Sequence, residues 1–368
     1  MGERRILMVG TDLAAHGGIS SVLRSYQDYG LFKAWGVDYV ATYEAPGMVR
    51  QLRVFSAALI RILGLLLSRR VAVVHVHSAS RGSFWRKSLV AALAWLCRVP
   101  YVFHIHSGEF PDFYARECGA AGQAWIRWIL RHAGRVIVLS PHWRQVVGAL
   151  EPRARVEQLG NPVHVPATLA PMRDPARTVL FLGRLQPKKG IFDLLRAIPA
   201  IRAAHPQTRF VLAGDGEMDA VRTLAAELGV SDAIEMPGWV DGEAKQRLLA
   251  QADIFVLPSH FEALSVGLLE AMSGGVPIVS TRVGGIPDLI NHEAEGLLVA
   301  AGPGPALADA INQLLADPQL RQRLRAQAFV RVGAEYSFQA ILRQLRGIYG
   351  GIGVAVGELP RTPLAAEL

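Results

Sequence analysis

The chain has 368 residues, of which 51% are hydrophobic and 19% charged, with two cysteines and a formal net charge of +8. That length calls for two cores rather than one, and the composition excludes an intrinsically disordered chain. Cys97 and Cys118 offer neither a disulfide framework nor a ligand cluster, so reduced thiols in a cytosolic protein are expected. The charge is uneven: residues 1–172 hold 20 Lys and Arg against 10 Asp and Glu, whereas residues 173–368 hold 19 against 21. A basic first half suits nucleic acid, anionic lipid or plain solvation. The opening MGERRILMVGTD has only a strand-length apolar run, too short for a signal peptide. No window reaches the ~18 uncharged apolar residues of a membrane span; the nearest, 59–67, contains Arg61.

Apolar runs predict strands at 6–9, 37–43, 71–76, 101–105 and 135–139. Between them the pattern predicts helices over 19–29, 48–68 and 84–97, a loop and helix reaching 132, and a helix over 141–150 with Ser140 as N-cap and Pro141 in its first turn. Strands separated by helices imply βαβ units and a parallel sheet. After the first strand, TDLAAHGGISS places Gly17-Gly18 where backbone without Cβ can approach a ligand. A plain tight turn is the alternative, and the G-x-G-x-x-G dinucleotide fingerprint is not met. Alternation puts His104 and His106 on one face of the fourth strand, His106 at its carboxyl tip, and His75 and His77 end the strand before. No carboxylate or Cys stands at matching spacing, so buried, satisfied histidines are expected there rather than a metal site. The acids and aromatics of EFPDFY, 109–114, are expected to line an acceptor pocket.

The same grammar restarts after a Pro-rich linker containing Pro162, Pro166, Pro171 and Pro175. Strands are predicted at 178–182, 210–213, 234–236 and 254–257, with helices over 191–204, 219–228 and 243–250. Residues 305–348 are mostly helical and end in a helix over 337–348. In VLFLGRLQPKKG the strand ends at Gly183, so Arg184 and Lys189 stand at a strand–helix junction, a placement that suits a diphosphate. AGDGE, with Gly214, makes a tight turn after the next strand, and GWV ends in Val240. In IFVLPSHFEALSVGLLEAMSGGVPIVS, Glu262 lies on a loop at the carboxyl end of a strand, where open α/β sheets bind ligands. Leu264 and Ser265 lead into a helix over 265–273, whose first amides suit an anion, and Glu270 lies inside it.

This last arrangement resembles the E-x7-E signature of family 4 glycosyltransferases, retaining enzymes of the GT-B fold. GRLQPKKG, GGISS and the His106 position extend the resemblance over most of the chain, with Ser107 a departure where many members have Gly or Asp. The resemblance implies two Rossmann-like, doubly wound parallel-sheet domains facing a cleft: residues 1–165 for the acceptor and 166–336 for a nucleotide sugar. A helix over 337–350 then crosses back to the first domain, and 351–368 form a loosely held tail. It also implies roles. Glu262 and His106 meet the transferred sugar; Arg184, Lys189, Gly17, Gly18, Leu264 and Ser265 hold the donor phosphates; Glu270 binds the ribose, and Val240 and Gly214 lie at the base.

No two aspartates stand two apart, so a D-x-D metal motif is missing and the expected transfer uses no metal and no cofactor. Arginines among apolar and aromatic residues over 48–70 and 81–98 suit an anionic bilayer, and core-packed helices with charged outer faces are the alternative. The expected partners are therefore a UDP- or GDP-sugar, a polyprenyl-linked saccharide used in surface polysaccharide synthesis, and the inner face of the cell membrane. No basic recognition motif supports nucleic acid. A sugar-nucleotide 2-epimerase, which needs no acceptor, and a non-catalytic nucleotide-sugar-binding protein remain the competing readings.

Overall fold

In the computed structural model, which describes residues 5–44 and 47–358, the alternation of apolar runs and helices resolves into two six-stranded parallel sheets. Contacts divide the chain into one unit running up to Pro162 together with the residues from Phe338 on, and a second unit, Val163–Ser337.

The first unit holds β1 (Arg5–Gly10), β2 (Val37–Ala41), β3 (Val71–Ser78), β4 (Tyr101–Ile105), β5 (Arg135–Val138) and β6 (Val156–Gln158), in the order β2-β1-β3-β4-β5-β6. Helices cover both faces, which is why β1, β3 and β4 are almost wholly buried and read as continuous apolar runs. β6 escapes sequence reading because three half-buried residues carry no period. Ser140 does stand at the N-cap of the Pro141–Leu150 helix, but its hydroxyl makes no cap bond and is buried. The last helix, Phe338–Gly350, packs on this unit: Phe338 stacks on Tyr29 with ring centroids 3.5 Å apart, and the Tyr349 hydroxyl meets His75 Nδ1 at 2.6 Å. Beyond it, Val354 is buried and Trp35 Nε1 donates to the Glu358 carbonyl. The rest of the expected tail, from 359 on, lies outside the described residues.

The second unit holds β7 (Thr178–Leu182), β8 (Arg209–Ala213), β9 (Ile234–Gly238), β10 (Ile254–Leu257), β11 (Ile278–Thr281) and β12 (Leu297–Val299), in the order β12-β11-β10-β7-β8-β9. This is the Rossmann order, and the direction of winding reverses between β7 and β10. Ligands of such sheets bind outside the carboxyl ends at that reversal. Two glycines let the loops there close up. Gly190 has φ +72°, and a Cβ on it would lie 1.9 Å from the Pro258 carbonyl oxygen. A Cβ on Gly214 would lie 1.8 Å from the Gly183 oxygen. Gly214 is thus required by backbone packing, independently of any ligand.

Gly190→Ala combines left-handed strain with a backbone clash and should destabilise the protein by about 2–4 kcal/mol. Urea denaturation measures this, and an unchanged midpoint would contradict the packing described.

Candidate active site

The loops after β7 and β10 bring the second unit's charged residues together. After β7, Arg184 projects with its side chain about half exposed and its Nε 3.4 Å from Asp215 Oδ1. The chain then makes a short 3-10 turn, Pro187–Lys189, before Gly190 starts the Ile191–Ala204 helix. After β10, three backbone anchors fix the loop. The Ser259 carbonyl accepts from Thr281 Oγ1, His260 N donates to the Lys188 carbonyl, and the Glu262 carbonyl accepts from Gly285 N. The end of β11 and the segments that follow β7 and β11 therefore decide where the Glu262 carboxylate stands.

That carboxylate meets Lys189 Nζ at 2.5 Å, with Ser259 Oγ 3.4 Å from the same oxygen. The side chains are 23% and 11% exposed, so water screens the pair far less than a surface ion pair. His260 Nε2 lies 2.5 Å from Asp193 Oδ2 and braces the loop from the other side. Ser265 caps the Val266–Ser273 helix by accepting from Leu268 N at 3.3 Å, while the Leu264 side chain is buried. Glu270, on that helix, pairs with Lys245 Nζ at 2.5 Å. Val240 lies half-buried just beyond β9. The second unit thus brings Lys189 to Glu262 and Lys245 to Glu270. Sequence reading missed Lys245, Ser259 and Asp193; the one available signal was that a carboxylate on so apolar a helix as Val266–Ser273 needs a partner.

In the first unit, Gly17 has φ 144° and precedes the Gly18–Asp28 helix; a Cβ on either glycine would meet open space. At the end of β3 and β4, His75, His77, His104 and His106 form a two-by-two array of stacked rings with neighbouring centroids 4.0–5.4 Å apart. His77 Nδ1 lies 2.9 Å from His106 Nε2. Burial, with the Lys87 charge second, pushes His106 down to about 3, and burial with His106 does the same to His75. His77 and His104 are also driven well down by burial. All four are neutral at pH 7. Lys87 is itself buried and pushed down to about 7. The expected acceptor lining over 109–114 needs correcting at its two phenylalanines. Phe110 and Phe113 pack into the core against Phe84, and Glu109 is tied to Arg81 at 2.5 Å.

Two measurements follow from these contacts. A double-mutant cycle on Lys245 and Glu270 should give a coupling of about 1–2 kcal/mol; no coupling would mean the pair is not formed. The unfolded histidines take up protons below about 6.5 that the folded array refuses until far lower pH. Stability should therefore fall as pH drops from 6.5 towards 3, and His104→Gln should flatten that fall. An unchanged slope in this variant would show that the array is not held neutral.

Comparison with known proteins agrees with this architecture. Residues 3–162 match the family model of the glycosyl transferase 4-like domain, and 171–331 match that of glycosyl transferases group 1. An uncharacterized glycosyltransferase of Methanocaldococcus jannaschii is 30% identical over 308 residues, covering 78% of this chain and 77% of its own. Among solved structures, sucrose-phosphate synthase of Thermosynechococcus elongatus superposes with a TM-score of 0.79 at 20% identity, over 95% of this chain and 99% of that one. HepE of Anabaena, solved with UDP and glucose, superposes with a TM-score of 0.74 at 19% identity, over 95% of this chain and 100% of that one. With two Rossmann-like units and family matches across both of them, the chain belongs to the family 4 glycosyltransferases and has the GT-B fold.

Proposed function

We propose that this glycosyltransferase moves a hexose from a nucleotide-diphosphate sugar to a lipid-linked saccharide, with retention of configuration and without a divalent ion on the diphosphate. The observation that carries the reading is the shielded Lys189–Glu262 pair at the reversal point of the second sheet. A diphosphate leaving group gathers negative charge as the sugar departs, and a cation already fixed at that spot lowers the barrier with little reorganisation. Lys189 supplies that cation, with Arg184 a second at the same strand end and the amides near Ser265 as further donors. Glu262 faces the sugar and stabilises the positive charge that develops there. Glu270, oriented by Lys245, takes the ribose, and Val240 packs on the base. The likeness to HepE, whose structure holds UDP and glucose, supports such a donor. Roles for His106 toward the sugar and for Gly17-Gly18 toward the diphosphate rest on the family resemblance alone.

The acceptor reading draws on the first unit's surface. The Met48–Leu67 helix buries only Ala58, Ile62 and Leu66 and leaves Met48 86% and Ile60 75% exposed, among exposed Arg50, Arg53 and Arg61. The Gly82–Leu96 helix adds exposed Trp85, Leu89 and Trp95. Apolar and aromatic side chains mixed with arginines match the boundary of an anionic bilayer. No helix among the described residues is long and apolar enough to cross one. Peripheral attachment to the inner leaflet, in the service of surface polysaccharide synthesis, fits these features.

Glu262→Ala and Lys189→Ala should each lower kcat roughly 10²–10³-fold while changing donor affinity far less. Losses confined to donor binding would contradict the roles given, as would a strict need for added Mg²⁺ or Mn²⁺. Sedimentation with anionic vesicles should be lost at high salt and in Ile60→Asp; binding indifferent to lipid charge would sink the membrane reading.

A further inference from the structure

We propose that His75, His77 and His104 bind one transition-metal ion of the zinc–cobalt–nickel class, buried in the first unit beside the Phe338–Gly350 helix. The sequence reading gave these three no role, and none of them belongs to the machinery proposed for the donor. Parallel pairing sets His77 opposite His104, and the two-residue period of β3 puts His75 on the same face. One ring nitrogen from each residue lies within 4.8 Å of those of the other two.

Three observations favour a metal over an ordinary buried hydrogen-bonded cluster. His77 Nε2 is fully buried with no hydrogen-bond partner among the described residues, and an unsatisfied buried polar atom costs about 1–3 kcal/mol. His75 Nε2 and His104 Nδ1 are 3.3 Å apart, long for a hydrogen bond. Yet two ligands about 2.0–2.1 Å from a tetrahedral zinc ion stand about 3.3–3.4 Å from each other. On two of the three rings the other nitrogen is already engaged in the way that outer partners orient metal-binding imidazoles: Tyr349 Oη lies 2.6 Å from His75 Nδ1, and His106 Nε2 lies 2.9 Å from His77 Nδ1.

The chemistry of the set selects the ion. Three neutral imidazoles with no carboxylate among them suit zinc, cobalt, nickel or copper, and disfavour magnesium and calcium. Ligands of one tetrahedral ion lie about 3.3–3.4 Å apart, so a pair at the 4.8 Å limit must close by roughly 1.4 Å on loading. The fourth position is left for water or a small anion. Binding through His77 Nε2 leaves the proton on its Nδ1, donated to His106 Nε2. A neutral His106 then carries its own proton on Nδ1. The ion would in this way set the tautomer of His106, a consequence that matters only if His106 has the sugar-binding role given above.

The test uses untagged, chelator-treated full-length protein titrated with Zn²⁺ in equilibrium dialysis and with Co²⁺ in visible spectroscopy. Wild type should take up one ion per chain, gain thermal stability on loading, and give the intense d–d bands of tetrahedral cobalt. His77→Ala and His104→Ala should abolish stoichiometric uptake. Tyr349→Phe should keep the stoichiometry but weaken affinity about tenfold or more. Absence of saturable uptake by wild type overturns the proposal, and so does equal uptake by the folded alanine variants. Should those variants fail to fold, wild-type cobalt spectra without tetrahedral bands, or unchanged affinity in Tyr349→Phe, overturn it instead. None of these readouts depends on sugar transfer.

Discussion

The contact on which the reading of this enzyme depends is an ammonium held against a carboxylate at the place where a parallel sheet reverses its winding. Lys189 and Glu262 come from loops 73 residues apart in sequence and meet because β7 and β10 are neighbours. Their separation is set by backbone, not by side-chain chance. The Gly190 turn fits under the Pro258 carbonyl, and His260 N reaches across to the Lys188 carbonyl. A charged pair fixed this way is organised before any substrate arrives, which is the condition for strong electrostatic catalysis.

A free lysine beside an arriving diphosphate would bind it well, but would stabilise reactant and leaving group alike. In the proposed role, pairing with Glu262 holds the ammonium in place, so that it needs little reorganisation as charge develops on the leaving oxygen. Glu270 and Lys245 repeat the arrangement one helix away, a second half-shielded pair within the same unit.

Much of this was legible in the chain itself, for physical reasons. Strands covered on both faces are continuous apolar runs, so β1, β3, β7 and β10 stand out by composition. Glu262 and Lys189 stood out because strand ends in open α/β sheets are where ligands sit. What could not be read depends on distance in space. Lys245 has no sequence mark tying it to Glu270. Phe110 and Phe113 look like pocket residues beside His106, and only their packing against Phe84 shows them to be core. The Gly214 turn reads equally as structural or ligand-binding, and only the Gly183 carbonyl, which leaves no room for a Cβ, shows that packing requires it. His75, His77 and His104 read as satisfied core residues until two ring nitrogens with no partner among the described residues are located.

The measurement that tests the central claim most directly follows nucleoside diphosphate release from UDP- and GDP-sugars, with and without a polyprenyl-linked saccharide. The account predicts release with one donor that requires the acceptor and matches the sugar transferred. Rapid release without acceptor, or no release with any donor and acceptor tried on folded protein, would contradict it.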